Sequence, residues 1–372
     1  MGVFKEKESA VLDIGSGHIT LMLASKTSGD YCRVSFEAKY PYKGIENGTF
    51  LDFDDTRNCI RTCFNRLKEK HGKMKKVYVG IPAEFSVCRI SSRKLGQIKH
   101  KKVEQIDVDT LISSSNPFSA NVDKELISSN PIYFVIDGDD EKYIDPLGKV
   151  TKSLEARISN IAVSSSILEF LRAELKINGV IDVEFVPSPL TEAISLFRYS
   201  ERDSGVLLVD CGYKSTSLVV NCSDGLESMY SFSCGRYHII DWMSQGLGLD
   251  FDEARILLEK VDFSLMPKDE TYSVNCHGQL RTFSCKDVQQ MAKECVRIIC
   301  GYISKCINNI EDARLKNMTV FLTGSGLDFR GVESRMSDFL GRPVKKVYPT
   351  FASNYKKASY SRVMGLLQYA LK

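Results

Sequence analysis

One short plan occurs twice in this chain. VLDIGSGHITLMLA (Val11 to Ala24) and LLVDCGYKSTSLVV (Leu207 to Val220) each read as an apolar strand, an Asp-x-Gly turn and a second apolar strand. Two such hairpins, each opening one half of the chain, predict duplicated α/β units that face one another. A length of 372 residues leaves room for about two to three domain-sized units.

Between and after the hairpins the pattern is mostly α/β. Val34 to Tyr40 reads as a strand and Lys43 to Gly48 as a turn. Asp54 to Lys68 reads as a helix with Ile60, Cys63, Phe64 and Leu67 on one face. Lys76 to Ile81 is a strand ended by Pro82. From there to about residue 157 short strands and polar segments replace the regular alternation, which predicts a small inserted module. Ser165 to Asn178, Leu190 to Tyr199 and Asp250 to Lys260 read as helices. Ser284 and Asp287 form a possible capping box for a long helix through Ile307. Its apolar stripe is read as Val288, Met291, Cys295, Ile298, Tyr302 and Cys306. Met318 to Leu322 is a strand running into Thr323-Gly324-Ser325-Gly326, and a last helix covers Ser359 to Leu371.

Composition narrows the function. A net charge of +3 gives no reason to expect a nucleic-acid partner. Two local basic clusters, Arg66 to Lys76 and Arg93 to Lys102, read first as solvated faces and second as contacts for anionic lipid or an acidic partner. The N-terminus has no apolar stretch of signal-peptide length, and no apolar run reaches the roughly 18 residues that span a bilayer. The twelve cysteines include no Cys-x-x-Cys, and most lie in apolar runs. These features predict reduced thiols, no zinc site and a cytoplasmic location.

The chemistry concentrates in three glycine turns that each follow an apolar strand: Asp13-Ile14-Gly15-Ser16-Gly17, Asp210-Cys211-Gly212 and Thr323-Gly324-Ser325-Gly326. Glycines let backbone N–H groups approach phosphate oxygens, while a carboxylate orders the waters around Mg²⁺. Gly15-Ser16-Gly17 is not a dinucleotide fingerprint, because a strand and not a helix follows it. No Walker A loop and no Gly-x-Ser-x-Gly elbow occurs.

In order and placement these turns resemble those of the actin/Hsp70/sugar-kinase ATPases, and within them FtsA, the actin-like bacterial cell division family. Gly44-Ile45-Glu46-Asn47-Gly48 is similar to a family turn, the module at 82–157 sits where FtsA carries its own extra subdomain, and Tyr360 to Tyr369 resembles the closing helix of the FtsA core. The resemblance implies a two-lobed actin-like α/β fold. Residues 1–81 and 158–200 would form the first lobe, 82–157 the inserted subdomain, 201–246 and 312–372 the second lobe, and 247–311 its smaller subdomain.

The resemblance also implies an ATP-binding scaffold that self-associates into filaments and binds FtsZ or other division proteins on the inner face of the membrane. Asp13, Gly15, Ser16, Gly17, Asp210, Gly212, Lys214, Gly324 and Ser325 would line the nucleotide cleft, with Asp13 and Asp210 on the metal. No catalytic residue carries over. The family's second loop continues Gly-Gly-Thr, whereas this chain has Tyr213-Lys214-Ser215. A family Ala-Glu-x-x-Lys beside the adenosine reads Ala254-Arg255-Ile256-Leu257-Leu258. The expectation is therefore weakened or lost ATP and Mg²⁺ binding, with slow or absent hydrolysis. FtsA proteins reach the membrane through a C-terminal amphipathic helix after a linker. This sequence ends straight after the closing helix, so weak lipid binding and no anchor in this chain are expected. Two other readings are an adaptor of a type IV pilus-type machine and a small-molecule kinase of the same superfamily.

Overall fold

The computed structural model describes residues 8–27, 31–139, 141–265, 270–276 and 278–372. Two five-stranded sheets of the same plan form its frame. The first has the order Asp182–Pro187, Lys76–Ile81, Glu8–Ile14, His18–Lys26 and Cys32–Pro41. The second has Val344–Lys346, Val320–Thr323, Val206–Cys211, Thr216–Cys222 and Gly225–Phe232. In each, the strand bearing the Asp-x-Gly aspartate pairs antiparallel with the next strand and parallel with a later one. Asp13 lies opposite Thr20 and Gly80, and Asp210 opposite Ser217 and Thr323. Both aspartates thus stand at the carboxyl end of a central strand, where open α/β sheets place their ligands. The duplicated two-lobed fold is the one the hairpins predicted.

Helices cover both faces of the first sheet, so its central strands are mostly apolar on both sides, with Asp13 and Thr20 the polar exceptions at the cleft end. Leu12 and Ile14 pack with Ile60, Phe64 and Leu67 of helix Phe53–His71 and with Leu168 and Leu171 of helix Ser165–Ile177. Val11 and Met22 point the other way, onto Val363, Met364, Leu366 and Leu367 of the closing helix Ser361–Ala370. Each such fully buried aliphatic side chain is worth about 1.5–3 kcal/mol. Helix Phe53–His71 starts where the Asp52 carboxylate accepts from the Asp54 and Asp55 N–H groups.

In the second lobe, helix Cys285–Asn308 begins at Ser284, whose Oγ accepts from Asp287 N–H. Its buried stripe is Val288, Ala292, Cys295, Val296, Ile299 and Ile303, rotated from the predicted one. Ile298 and Tyr302 face outward, and Tyr302 stacks on Phe232 with ring centroids 5.2 Å apart. The helix carries apolar residues on more than one face, and packing chose between them. Helix Ser188–Leu196 stops before the predicted Tyr199 because Phe197 is extended. The helix Arg236–Leu247 and the hairpin of Thr271–Cys276 with Gln279–Ser284 had no sequence prediction.

The inserted unit is an antiparallel sheet of order Ser86–Lys102, Val150–Ser164, Lys124–Ile136 and Lys142–Tyr143. Helix Gln105–Ser113 covers it through Val108 and Leu111 against Phe134, Leu154 and Ile158. Its return strand reaches Ser164, beyond the expected boundary at 157. The unit also touches the second lobe. Arg157 ion-pairs with Glu227, and Ser159 Oγ accepts from Leu226 N–H at 3.1 Å.

Candidate functional site

The first two glycine turns are closed by the same backbone hydrogen bond. Gly15 N–H donates to His18 O at 2.9 Å, and Gly212 N–H donates to Ser215 O at 2.8 Å. The third turn crosses over the second: Gly326 N–H donates to Cys211 O at 2.6 Å. Gly324 has φ +86°, and a Cβ there would fall 2.1 Å from Asp210 Oδ1. Only glycine permits that approach. Asp13, Gly15, Ser16, Gly17, Asp210, Gly212, Gly324 and Ser325 line one cavity between the lobes, of about 70 Å³.

Thr20, Lys39 and Arg362 reach this cavity without having been singled out, and the Tyr213 ring, foreseen as bulk in the second turn, lines it too. Arg362 is the decisive one. It stands in the first turn of the closing helix, which lies so close to helix Ser188–Leu196 that a Cβ on Gly365 would be 2.7 Å from Thr191 O. From there Arg362 Nη2 donates to Asp13 Oδ1 at 3.0 Å and to Ile14 O at 2.5 Å. Ser188 Oγ donates to the same Asp13 oxygen at 3.4 Å.

Four carboxylates surround this guanidinium. Burial works against its charge, but Asp13, Asp210, Glu84 and Glu192 outweigh burial and raise the Arg362 pKa above its ordinary value. Burial pushes the Asp210 carboxyl up to about 6, with Arg362 opposing and Glu84 and Asp13 adding. Glu192 is 1% exposed, and its Oε1 has no hydrogen-bond partner. Burial, then Asp210, pushes its carboxyl well above the usual range. A buried carboxyl of this kind is stable as the neutral acid.

The second turn spends its side chains on the first lobe. Lys214 N–H donates to Ser16 Oγ at 3.0 Å, and Lys214 Nζ donates to Lys43 O at 2.7 Å while lying 4.9 Å from the Tyr237 ring centroid. Burial lowers the Lys214 pKa. Lys214 therefore points across the lobes, away from the cavity that the other predicted residues line. The Tyr213 ring covers Gly17, where a Cβ would meet Tyr213 Cδ1 at 2.2 Å. Its edge packs on His18, centroids 5.9 Å apart. His18 is a packing residue: burial, then Lys39, lowers its pKa to about 4. Ser215 Oγ hydrogen-bonds Glu84 of the first lobe. Arg255 is used on its own helix, with Asp252 at 3.3 Å and Glu259 at 3.1 Å, and Leu258 is buried.

Sequence reasoning missed Arg362 because the closing helix was read as a packing element. A signal was present. Arg362 is the lone charge of the helix Ser361–Ala370, directly before the apolar run Val363-Met364-Gly365-Leu366-Leu367. A charge beside a fully buried stripe needs a partner inside.

Residues 88–162 match the family described as the SHS2 domain inserted in FtsA. Over 97% of its length the chain is 24% identical to the cell division protein FtsA of Bacillus subtilis, of which it covers 83%. It is also 24% identical, over 82% of its length, to FtsA of Streptococcus pneumoniae, of which it covers 64%. The chain is FtsA-like. Among solved structures, the FtsA-like chain superposes on one titled PilM-PilN type IV pilus biogenesis complex with a TM-score of 0.67, at 15% identity, covering 99% of this chain and 100% of that one. It also superposes on MreB5 of Spiroplasma citri bound to ADP with a TM-score of 0.57, at 11% identity, covering 96% and 94%. Both are actin-like, and at these identities they speak for the fold alone.

Proposed function

We propose that this FtsA-like chain is an actin-fold scaffold of bacterial cell division, binding FtsZ or another division protein, whose cleft is held shut by its own side chains and works without nucleotide turnover. The relatives named cell division protein FtsA along most of the chain support the process. The Arg362–Asp13 pair carries the rest of the reading. A buried guanidinium beside Asp13 and Asp210 supplies the positive charge that a metal would otherwise bring to two carboxylates.

Size and loop chemistry agree with this. The residues present do not fit a magnesium-bound nucleotide. The cavity of about 70 Å³ compares with roughly 300 Å³ or more for sites that bury a drug-sized ligand. The Tyr213 ring stands over Gly17, and the Ser16–Lys214 and Lys43–Lys214 hydrogen bonds join the loops to each other. Loss of two or three polar contacts, at about 0.5–1.5 kcal/mol each, weakens binding by roughly tenfold to a thousandfold.

Two measurements test the two halves of the proposal. Calorimetric titration with Mg-ATP is expected to give no heat, and micromolar affinity with phosphate release would overturn the closed cleft. Co-sedimentation with FtsZ filaments is expected to succeed equally with and without ATP. Failure to pellet in both conditions would remove FtsZ as the partner and leave the cleft reading standing.

A further inference from the structure

The basic stretch Arg66 to Lys76, read from sequence first as a solvated face and second as a contact for anionic lipid or an acidic partner, is largely exposed in the fold and gains apolar neighbours there. Helix Phe53–His71 ends in Lys68, Lys70 and His71, and the chain turns at Gly72 into Lys73 and Lys75. Helix Ser165–Ile177 ends at the same edge of the first lobe with Lys176 and Ile177. The two segments are in contact. Ile181 and Asp182 N–H both donate to Lys75 O, at 2.8 and 2.9 Å, and a Cβ on Gly179 would lie 3.6 Å from Lys73 Cδ. This end therefore brings the exposed Lys73 and Lys75 beside a segment that carries two isoleucines left uncovered by the fold: Ile177 is 68% exposed and Ile181 78%.

We propose that this end of the first lobe is a contact for an anionic lipid surface, with Ile177 and Ile181 entering the headgroup region and the surrounding lysines facing lipid phosphates. Lysines near an anionic bilayer each add about a fivefold factor in binding where they share a face, and the contacts above bring Lys73 and Lys75 beside the segment 179–182. The acids here are few. Asp182 and Glu184 are engaged by Lys76, at 3.5 and 3.0 Å, and Glu69 is the other carboxylate of the stretch. A single exposed isoleucine is ordinary. Two on one short segment, with Lys73 and Lys75 packed beside it and Lys176 within it, match the apolar-plus-basic chemistry of surfaces that lie on a membrane. Nucleic acid would use the lysines and leave the isoleucines in water, whereas a lipid surface uses both: its phosphates face the lysines and its headgroup boundary takes the isoleucines. The closing helix ends beside the same edge: Tyr369 OH donates to Glu184 at 2.9 Å and its ring packs on Tyr78.

The test is sedimentation of the 372-residue chain with vesicles, either pure phosphatidylcholine or phosphatidylcholine with phosphatidylserine. Binding is expected to the anionic vesicles only, falling at least tenfold between low and high salt. The double variant Ile177→Ser/Ile181→Ser should weaken it several-fold, and Lys73→Glu/Lys75→Glu at least tenfold. Both variants change exposed residues and should melt like the parent chain. No binding to anionic vesicles overturns the proposal. So does binding that is lost with the lysine changes and untouched by the isoleucine changes, which would point to an acidic macromolecule instead.

Discussion

The two Asp-x-Gly turns have the same backbone and opposite contents. Each aspartate ends a central strand, and each glycine N–H closes its turn on the carbonyl three residues on. After the first glycine come Ser16 and Gly17, which leave space. After the second come Tyr213 and Lys214, which fill it and reach the other lobe. The comparison teaches that the sheet dictates the turn, while two side chains decide whether the turn is available to a ligand. The first turn was emptied of competition from its own residues, yet Arg362 from a distant helix took its aspartate.

The sharpest way to break this picture is Arg362→Ala. It would leave Asp13 and Asp210 buried beside Glu192 without a counter-charge, at a cost of about 3–5 kcal/mol. Chemical denaturation should show the loss, and millimolar Mg²⁺ should restore part of it in the variant while leaving the parent unchanged. A variant as stable as the parent would remove Arg362 from the centre of the cleft.

Asp210 offers a second handle. With its folded-state pKa near 6 and an ordinary value near 3.9, the folded chain keeps this proton longer than the unfolded one. Its contribution is therefore greatest below about pH 4 and falls as pH rises to about 6, by no more than about 3 kcal/mol. Asp210→Asn should flatten that part of a stability–pH profile, and an unchanged slope would contradict the burial argument.

Tyr213 and Gly17 form a pair suited to a double-mutant cycle. Gly17→Ala should cost about 1–2 kcal/mol, because the new methyl overlaps the ring. In a Tyr213→Gly background the same change should cost almost nothing, and additivity would show that the two are not in contact. The smallest expected effect is a gain. Tyr213→Gly with Lys214→Gly should make the second turn resemble the first, and calorimetry should then detect weak Mg-ATP binding that the parent chain lacks; no heat from the double variant would show that Arg362 alone closes the cleft.

Much of this molecule was determined by local sequence. The hairpins, the Phe53–His71 helix with its buried stripe and the Ser284 cap follow from short-range periodicity and capping, which act over a few residues; the inserted unit was legible only as a break in that pattern, and its long strands, such as Ser86–Lys102, were not. The suspicion about the second turn is local too, since Tyr213 and Lys214 are bulky wherever they point. Tertiary structure decided what short range cannot. It turned helix Cys285–Asn308 onto Ala292 and Ile299 and left Ile298 outside, because that helix has apolar residues on more than one face and only its neighbours break the tie. It sent Lys214 to Lys43 and away from the cavity. It also brought Arg362 to Asp13 across nearly the whole chain, a pairing that has no local signature because Coulomb attraction depends on distance in space and not along the sequence.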